Sequence, residues 1–228
     1  MEPYRTVIRA ASLSAAGLLA LGTAPAAAQD PAKVAGDHYK VITENESIRV
    51  VEVNMPAGAK AVMHAHPDLA VVFLEPGTTK FTLAGGKSQT SPQAKRGTVI
   101  FMKAESHATE TVGSTPSQAI LIEFKKPGPA AGKGRNPSLP APYMQVADDA
   151  AVRAFEMTAP PGGTVPEHTH GDHVIVSLTD ATAEVTDKTG KKETLTFKKN
   201  TAMVAGPATH SAVNTGKTPL HLIVIEMK

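Results

Sequence analysis

From residue 39 onward the chain is a succession of short, β-branched apolar runs broken by turn-forming clusters. SIRVVEV, LAVVFLE, TKFTLAG, GTVIFM and QAILIEF come first, then AVRAFEM, HVIVSLT, ATAEVTD, ETLTF, TAMVA and LHLIVIE. Runs of this length and spacing predict an antiparallel sandwich or barrel. In the first run Val51, Val53 and Met55 alternate onto one face, as do Phe155 and Met157 later, and these faces are assigned to the core. The runs 119–124 and 222–227 are apolar on both faces, so each must be covered outside as well as inside, by one barrel packing on the other or by a second copy of the chain.

The same unit is written twice. Tyr39 and Tyr143, Arg49 and Arg153, Glu52 and Glu156, His64 and His168, and His66 and His170 are all 104 positions apart. The offset becomes 103 for His107 and His210, Gly113 and Gly216, Pro116 and Pro219, and Glu123 and Glu226, which places a one-residue gap after the histidine pair. The expected organisation is a first domain over 29–125, with its repeat at 39–125, and a second over 143–228. The segment between them, 126–142, is too rich in Pro, Gly and Ala for a helix or central strand and is read as a linker.

Residues 1–28 differ in kind: Arg5 and Arg9 precede an apolar stretch from Ala10 to Leu21, and Ala26-Ala27-Ala28 follows Pro25. This predicts a cleavable signal peptide, cut between Ala28 and Gln29, and a periplasmic or secreted product with no membrane attachment after cleavage. Removal of the leader lowers the formal net charge from +2 to +1, which calls for no nucleic-acid partner. Cysteine is absent, so disulfides and thiolate chemistry are excluded and a metal must be held by His, carboxylate or thioether. Tryptophan is absent too, and aromatic residues make up 4%, which leaves little for stacking bases or sugars.

Candidate chemistry lies in the histidines. On a strand His64 and His66 point to one side, as do His168 and His170, and His107 and His210 close apolar strands later in each repeat. Three neutral imidazoles facing one another suit a divalent transition metal, whether Fe, Mn, Ni, Cu or Zn. The competing reading is a set of satisfied core histidines in barrels without metal, but six buried imidazoles would each need partners for their nitrogens. Metal occupancy should fall as pH drops through about 6, where free histidine protonates.

These residues resemble the cupin family, whose first motif is G-x5-H-x-H-x3,4-E-x6-G and whose second is G-x5-P-x-G-x2-H-x3-N. Gly58, His64, His66 and Gly77 fit the first motif, and Gly97 and His107 fit the second loosely. In the second repeat Gly162, His168 and His170 fit the first motif, and Gly206, His210 and Asn214 the second. The resemblance implies an all-β architecture of two tandem antiparallel jelly-roll barrels, a bicupin. The family's glutamate ligand falls at Ala70 and Val174, which cannot bind metal. Activities that need that carboxylate therefore do not transfer directly, whereas the three-histidine cupins include thiol and diketone dioxygenases.

Asp68 and Asp172 have the strand parity to replace the glutamate if the strand continues, although Pro67 and Gly171 point to a turn. His173 is expected on a loop or rim with an outer role at most; His38 and His221 are expected on surface or strand positions. Met63 should face away from the histidines, and Met55 and Met102 are read as packing residues. Arg49 and Arg153 are read as structural ion-pair partners of Glu123 and Glu226 across neighbouring strands ahead of a substrate-binding role, with Glu52 and Glu156 on the opposite face. No Ser-His-Asp order, phosphate loop or HExxH run is present, so any catalysis would be the metal's and no catalytic residue is assigned. Two function classes stand: a dioxygenase-like oxidoreductase on a small molecule, and a metal- or ligand-binding module without turnover. A third, metal used only to hold the fold, stands behind them.

Overall fold

The computed structural model describes residues 29–91, 93–125 and 139–228. The expected signal peptide at 1–28, with its cleavage site, and most of the expected linker, 126–138, lie outside the described residues. Among the described residues one short helix, α1 (Pro31–Val34), precedes sixteen strands. In the first half these are β1 (Tyr39–Glu44), β2 (Ile48–Met55), β3 (Lys60–His66), β4 (Leu69–Leu83), β5 (Ser88–Thr90), β6 (Val99–Met102) and β7 (Glu105–Phe124). In the second they are β8 (Tyr143–Asp148), β9 (Val152–Ala159), β10 (Thr164–His170), β11 (His173–Ser177), β12 (Ala181–Asp187), β13 (Lys192–Phe197), β14 (Ala202–Ala205), β15 (Ala208–Asn214) and β16 (Leu220–Met227). All pairings are antiparallel, and among the described residues no ladder joins the two halves.

The halves share one plan with different breaks. In the first, β7 pairs with β3 through its beginning and with β2 through its end, so one long strand spans both layers. In the second, the same path is split into β15, paired with β10, and β16, paired with β9. Gly77 sits where β4 crosses the bend of β7, and a Cβ there would lie 2.4 Å from the Pro116 carbonyl oxygen, so only glycine fits. Gly58 and Gly162, at matched turns before the histidine strands, both have a left-handed φ, of 76° and 75°.

Strand parity sorts the apolar residues into three cores. Val51, Val53, Met55, Ala119 and Leu121 fill the first half, and Phe155, Met157, Leu222 and Val224 fill the second, as the alternation predicts. The opposite faces of the same strands form a third core, shared between the halves: Val50, Ile120 and Ile122 pack in one cluster with Ala154, Ile223 and Ile225. The doubly apolar strands are thus covered within the chain. Polar contacts reinforce this seam, where Arg96 of the first half donates to the carbonyl of Leu178 at 2.8 Å and to Oδ1 of Asn200 at 2.5 Å in the second. Leu139, inside the segment read as linker, is buried in the second core, because an apolar side chain next to Tyr143 has more to gain there than in water.

Ile122 is fully buried in the shared core. Ile122→Ala should therefore cost about 2–5 kcal/mol and lower the urea midpoint of the whole chain in a single transition. Loss of the first half's signal alone, with the second half's midpoint unmoved, would contradict a shared core.

Candidate metal centres

Each histidine pair is aimed by the same irregularity. The β3–β7 register shifts between Ala61 and His64, and the β10–β15 register shifts between Val165 and His168. The bulge turns Val62 and Met63 to solvent and returns His64 and His66 to the inner face. His107 lies directly opposite His64, and His210 directly opposite His168. Two triads result, His64, His66 and His107 in one half and His168, His170 and His210 in the other. In each, one nitrogen per ring lies within 4.8 Å of the others. Ring centroids are 5.0, 4.9 and 5.3 Å apart in the first triad and 4.7, 4.6 and 5.3 Å in the second.

Hydrogen bonds to Nδ1 decide which nitrogen faces inward. His64 Nδ1 lies 2.7 Å from the Val62 carbonyl oxygen, and His168 Nδ1 lies 2.7 Å from that of Pro166. A carbonyl only accepts, so these nitrogens carry the proton and Nε2 keeps its lone pair. His66 Nδ1 donates to Glu123 at 2.6 Å and His170 Nδ1 to Glu226 at 2.7 Å, with the same result. His107 Nδ1 donates to Glu105 at 2.8 Å. This is the arrangement by which a carboxylate or carbonyl orients a metal-ligating imidazole and raises its basicity.

The inward nitrogens of these five histidines therefore carry no proton. His168 Nε2 and His170 Nε2 are 3.0 Å apart, and His64 Nε2 is buried with no hydrogen-bond partner among the described residues. Two lone pairs at 3.0 Å repel unless a cation or an added proton lies between them. The spacing matches roughly 3.0–3.4 Å, the separation of two imidazole nitrogens sharing an ion with metal–nitrogen bonds of about 2.0–2.1 Å. An added proton is the poorer solution, because burial pushes His64 and His210 down to about 4 and lowers His107 and His168 as well. The donor set therefore fits a divalent transition ion in both places. The threshold for losing it moves below the pH of about 6 set by free histidine, since the metal-free imidazoles resist protonation.

Glu123 and Glu226, expected only as ion-pair partners, also contact the triads. They do pair with arginine, at 2.6 Å from Arg49 Nε and 3.0 Å from Arg153. Their second oxygens hold His66 and His170. Burial alone would raise the Glu123 carboxyl, but His66 and Arg49 together hold it below its usual range. Arg49 is itself held by Asp30, which also caps α1 by accepting from Ala32 N. The available signal was parity, since Glu123 follows Ala119 and Leu121 on an inward, otherwise apolar face. Tyr39 and Tyr143 also belong to the sites, with their rings 4.9 Å from His64 and 5.0 Å from His168. Burial, then the Glu226 carboxylate, raise the Tyr143 phenol above its ordinary value, so it remains a proton donor at neutral pH.

Several expectations need correction. Asp172 is exposed and Asp68 half-buried, and both lie outside the two triads: the chain turns at Pro67 and Gly171, and Asp68 is spent on Lys103 at 3.0 Å and the Ala104 amide at 2.8 Å. Ala70 and Val174 face the shared core, so the inward positions beside the triads are instead Leu69 and His173. His173 is no rim residue. It is buried in β11, stacked on His170 at 4.4 Å and 25°, with Nδ1 held by the Gly171 carbonyl oxygen at 2.8 Å. Stacking lays its ring alongside His170, and its nitrogens are not among those that converge. Met55 packs in the first core, Met63 faces solvent, His38 is half-buried with Nδ1 3.2 Å from the Asn54 carbonyl oxygen, and His221 pairs with Glu156 at 2.7 Å.

No family model matches the sequence, and no curated protein matches it either. Solved structures do match. AerE from Microcystis aeruginosa is 14% identical with a TM-score of 0.58, over 84% of this chain and 97% of that one. A cupin 2 conserved barrel domain protein from Leptotrichia buccalis is 12% identical with a TM-score of 0.50, over 83% and 88%. The chain has the cupin fold. A third match, the oxalate decarboxylase of Bacillus subtilis with its Mn(II) centres, is 13% identical with a TM-score of 0.55, over 80% of this chain and 69% of that one. Within the cupin fold, the strands that bring the triads together are those carrying the two motifs, and the matched bulges show that both repeats keep the same local geometry.

The lowered histidines make stability pH-dependent. The unfolded chain protonates His64 and His210 near pH 6.5 and the folded chain only at about 4, so the unfolded state binds more protons between those values. Metal-free protein should show constant stability above pH 6.5 and lose it as pH falls from 6.5 towards 4, measured as urea midpoints in chelator. A midpoint unchanged through that window would contradict neutral, buried imidazoles.

Proposed function

We propose that this chain is an exported, two-barrel cupin that holds a divalent transition metal ion in each histidine triad and presents it to a small oxygen-rich molecule. The observation that carries the metal reading is the opposed pair of unprotonated nitrogens at 3.0 Å, His168 Nε2 and His170 Nε2. The Mn(II) centres of the structurally similar oxalate decarboxylase support an ion of this class. Export rests on the sequence of residues 1–28.

His64, His66 and His107 would hold one ion and His168, His170 and His210 the other. Such an ion supplies Lewis-acid chemistry, and for Fe, Mn or Cu redox chemistry, that the side chains lack. The chain's own residues do the rest. Glu123 and Glu226 fix the central imidazoles, Arg49 and Arg153 keep those carboxylates in place, and the apolar walls exclude water. Three protein donors leave coordination positions open, which is the basis for a dioxygenase-type reaction. Binding without turnover is favoured by one observation, the enclosure of the first triad, in which all three histidines are buried.

Protein isolated from its native compartment at neutral pH should contain about two metal equivalents per chain by elemental analysis. The His64→Ala, His66→Ala double variant and the His168→Ala, His170→Ala double variant should each retain about one. Folded wild-type protein with near-zero metal contradicts the proposal. Oxygen uptake with diketones, thiols and flavonols then separates the two classes: loss of uptake in one double variant identifies an enzyme, and no uptake by metal-loaded wild type favours a binding protein.

A further inference from the structure

The two triads agree in their histidines and differ in what surrounds them. Tyr39 is buried, and its hydroxyl is occupied by Thr109 Oγ1 at 3.2 Å and Met55 Sδ at 3.9 Å. The matched register puts Ala212 and Ala159 at those two places in the second half. Methyl groups offer no hydrogen bond. The Tyr143 hydroxyl lies instead 3.5 Å from His170 Nε2, at the edge of the converging nitrogens.

Access differs in the same direction. The edge of Phe81 closes over His107 with ring centroids 5.1 Å apart at 82°, and His107 is 3% exposed. Leu83 pairs with His107 and Asp187 with His210, so the place of Phe81 is taken by the smaller Val185. His210 and Tyr143 are both partly exposed. Anchoring differs as well: His107 is held by Glu105, whose place opposite the second histidine of the pair is taken by Ala208 in the other half. Among the described residues His210 Nδ1 has no such acceptor.

We infer that the two centres divide the work: the first keeps its ion enclosed, and the second accepts a small anionic or oxygen-donor ligand to which the Tyr143 hydroxyl donates a hydrogen bond. This rests on the metal reading above. Tyr143 is a positioning group for the ligand, and the Tyr39 hydroxyl, already spent, has no such role. A phenol beside an otherwise apolar wall selects ligands with a lone pair directed at it over isosteric apolar ones.

The test uses the full chain loaded with Co(II) and titrated with azide, followed by the ligand-field spectrum and by metal content. Wild type should bind one azide equivalent per chain. Tyr143→Phe should weaken azide roughly tenfold with Co(II) content unchanged, the effect of removing one hydrogen bond to a charged acceptor. Tyr39→Phe should bind azide as wild type does, and His210→Ala should lose the azide response while keeping a Co(II) equivalent in the first centre. Two azide equivalents of equal affinity, or wild-type affinity in Tyr143→Phe, overturns the inference. Co(II) bound with no azide response at either centre also overturns it and leaves the metal reading standing. No bound Co(II) in folded wild type overturns both.

Discussion

The acceptors fixed on the Nδ1 atoms govern the rest of the structure. A carbonyl at Val62 and Pro166 and a carboxylate at Glu123 and Glu226 can only accept, so each forces its histidine to turn a bare Nε2 into the interior. Once that is set, the interior of each half contains converging lone pairs that cannot satisfy one another, at a site too buried for protonation to be cheap. The bulges before His64 and His168 exist at the positions that make the carbonyl reachable. The arginines keep the carboxylates from swinging away. Fold and chemistry are joined here by a handful of hydrogen bonds.

The shared core sets the second constraint. Strands such as β7 and β16 place Glu123 and Glu226 inward and Ile122 and Ile225 outward, one residue apart. Packing of the halves against each other therefore fixes the strands from which the two carboxylates project. Burial of those outer faces also explains why Ala70 and Val174 are apolar: in this chain that side of the strand belongs to the seam and not to the site.

Much of this was legible in the sequence, for reasons that can be named. Period-two alternation fixed the inner face of β2, and the repeated spacing put six histidines into two equivalent sets, because a repeat preserves register. The doubly apolar strands announced a covered outer face, though not what covers it. What was missed depends on where turns fall. Asp68 had the right parity for β3, which ends before it, and His173 had the wrong parity for β10 but begins β11 with its own count. Glu123 and Glu226 read as ion-pair partners because a sequence shows that a carboxylate has a neighbour and not that it has two. The differences between Met55 and Ala159, and Thr109 and Ala212, were present in the repeat alignment but acquire meaning only when Tyr39 and Tyr143 are seen beside the triads.

The tautomers themselves are the most direct test, and long-range 1H–15N NMR of the metal-free protein at neutral pH reads them without relying on activity. His64 and His168 should appear with the proton on Nδ1 and a bare Nε2, and addition of Zn(II) should shift the Nε2 resonances of the triads while leaving Nδ1 protonated. Nε2-protonated imidazoles at His64 and His168, unmoved by Zn(II), would contradict the account.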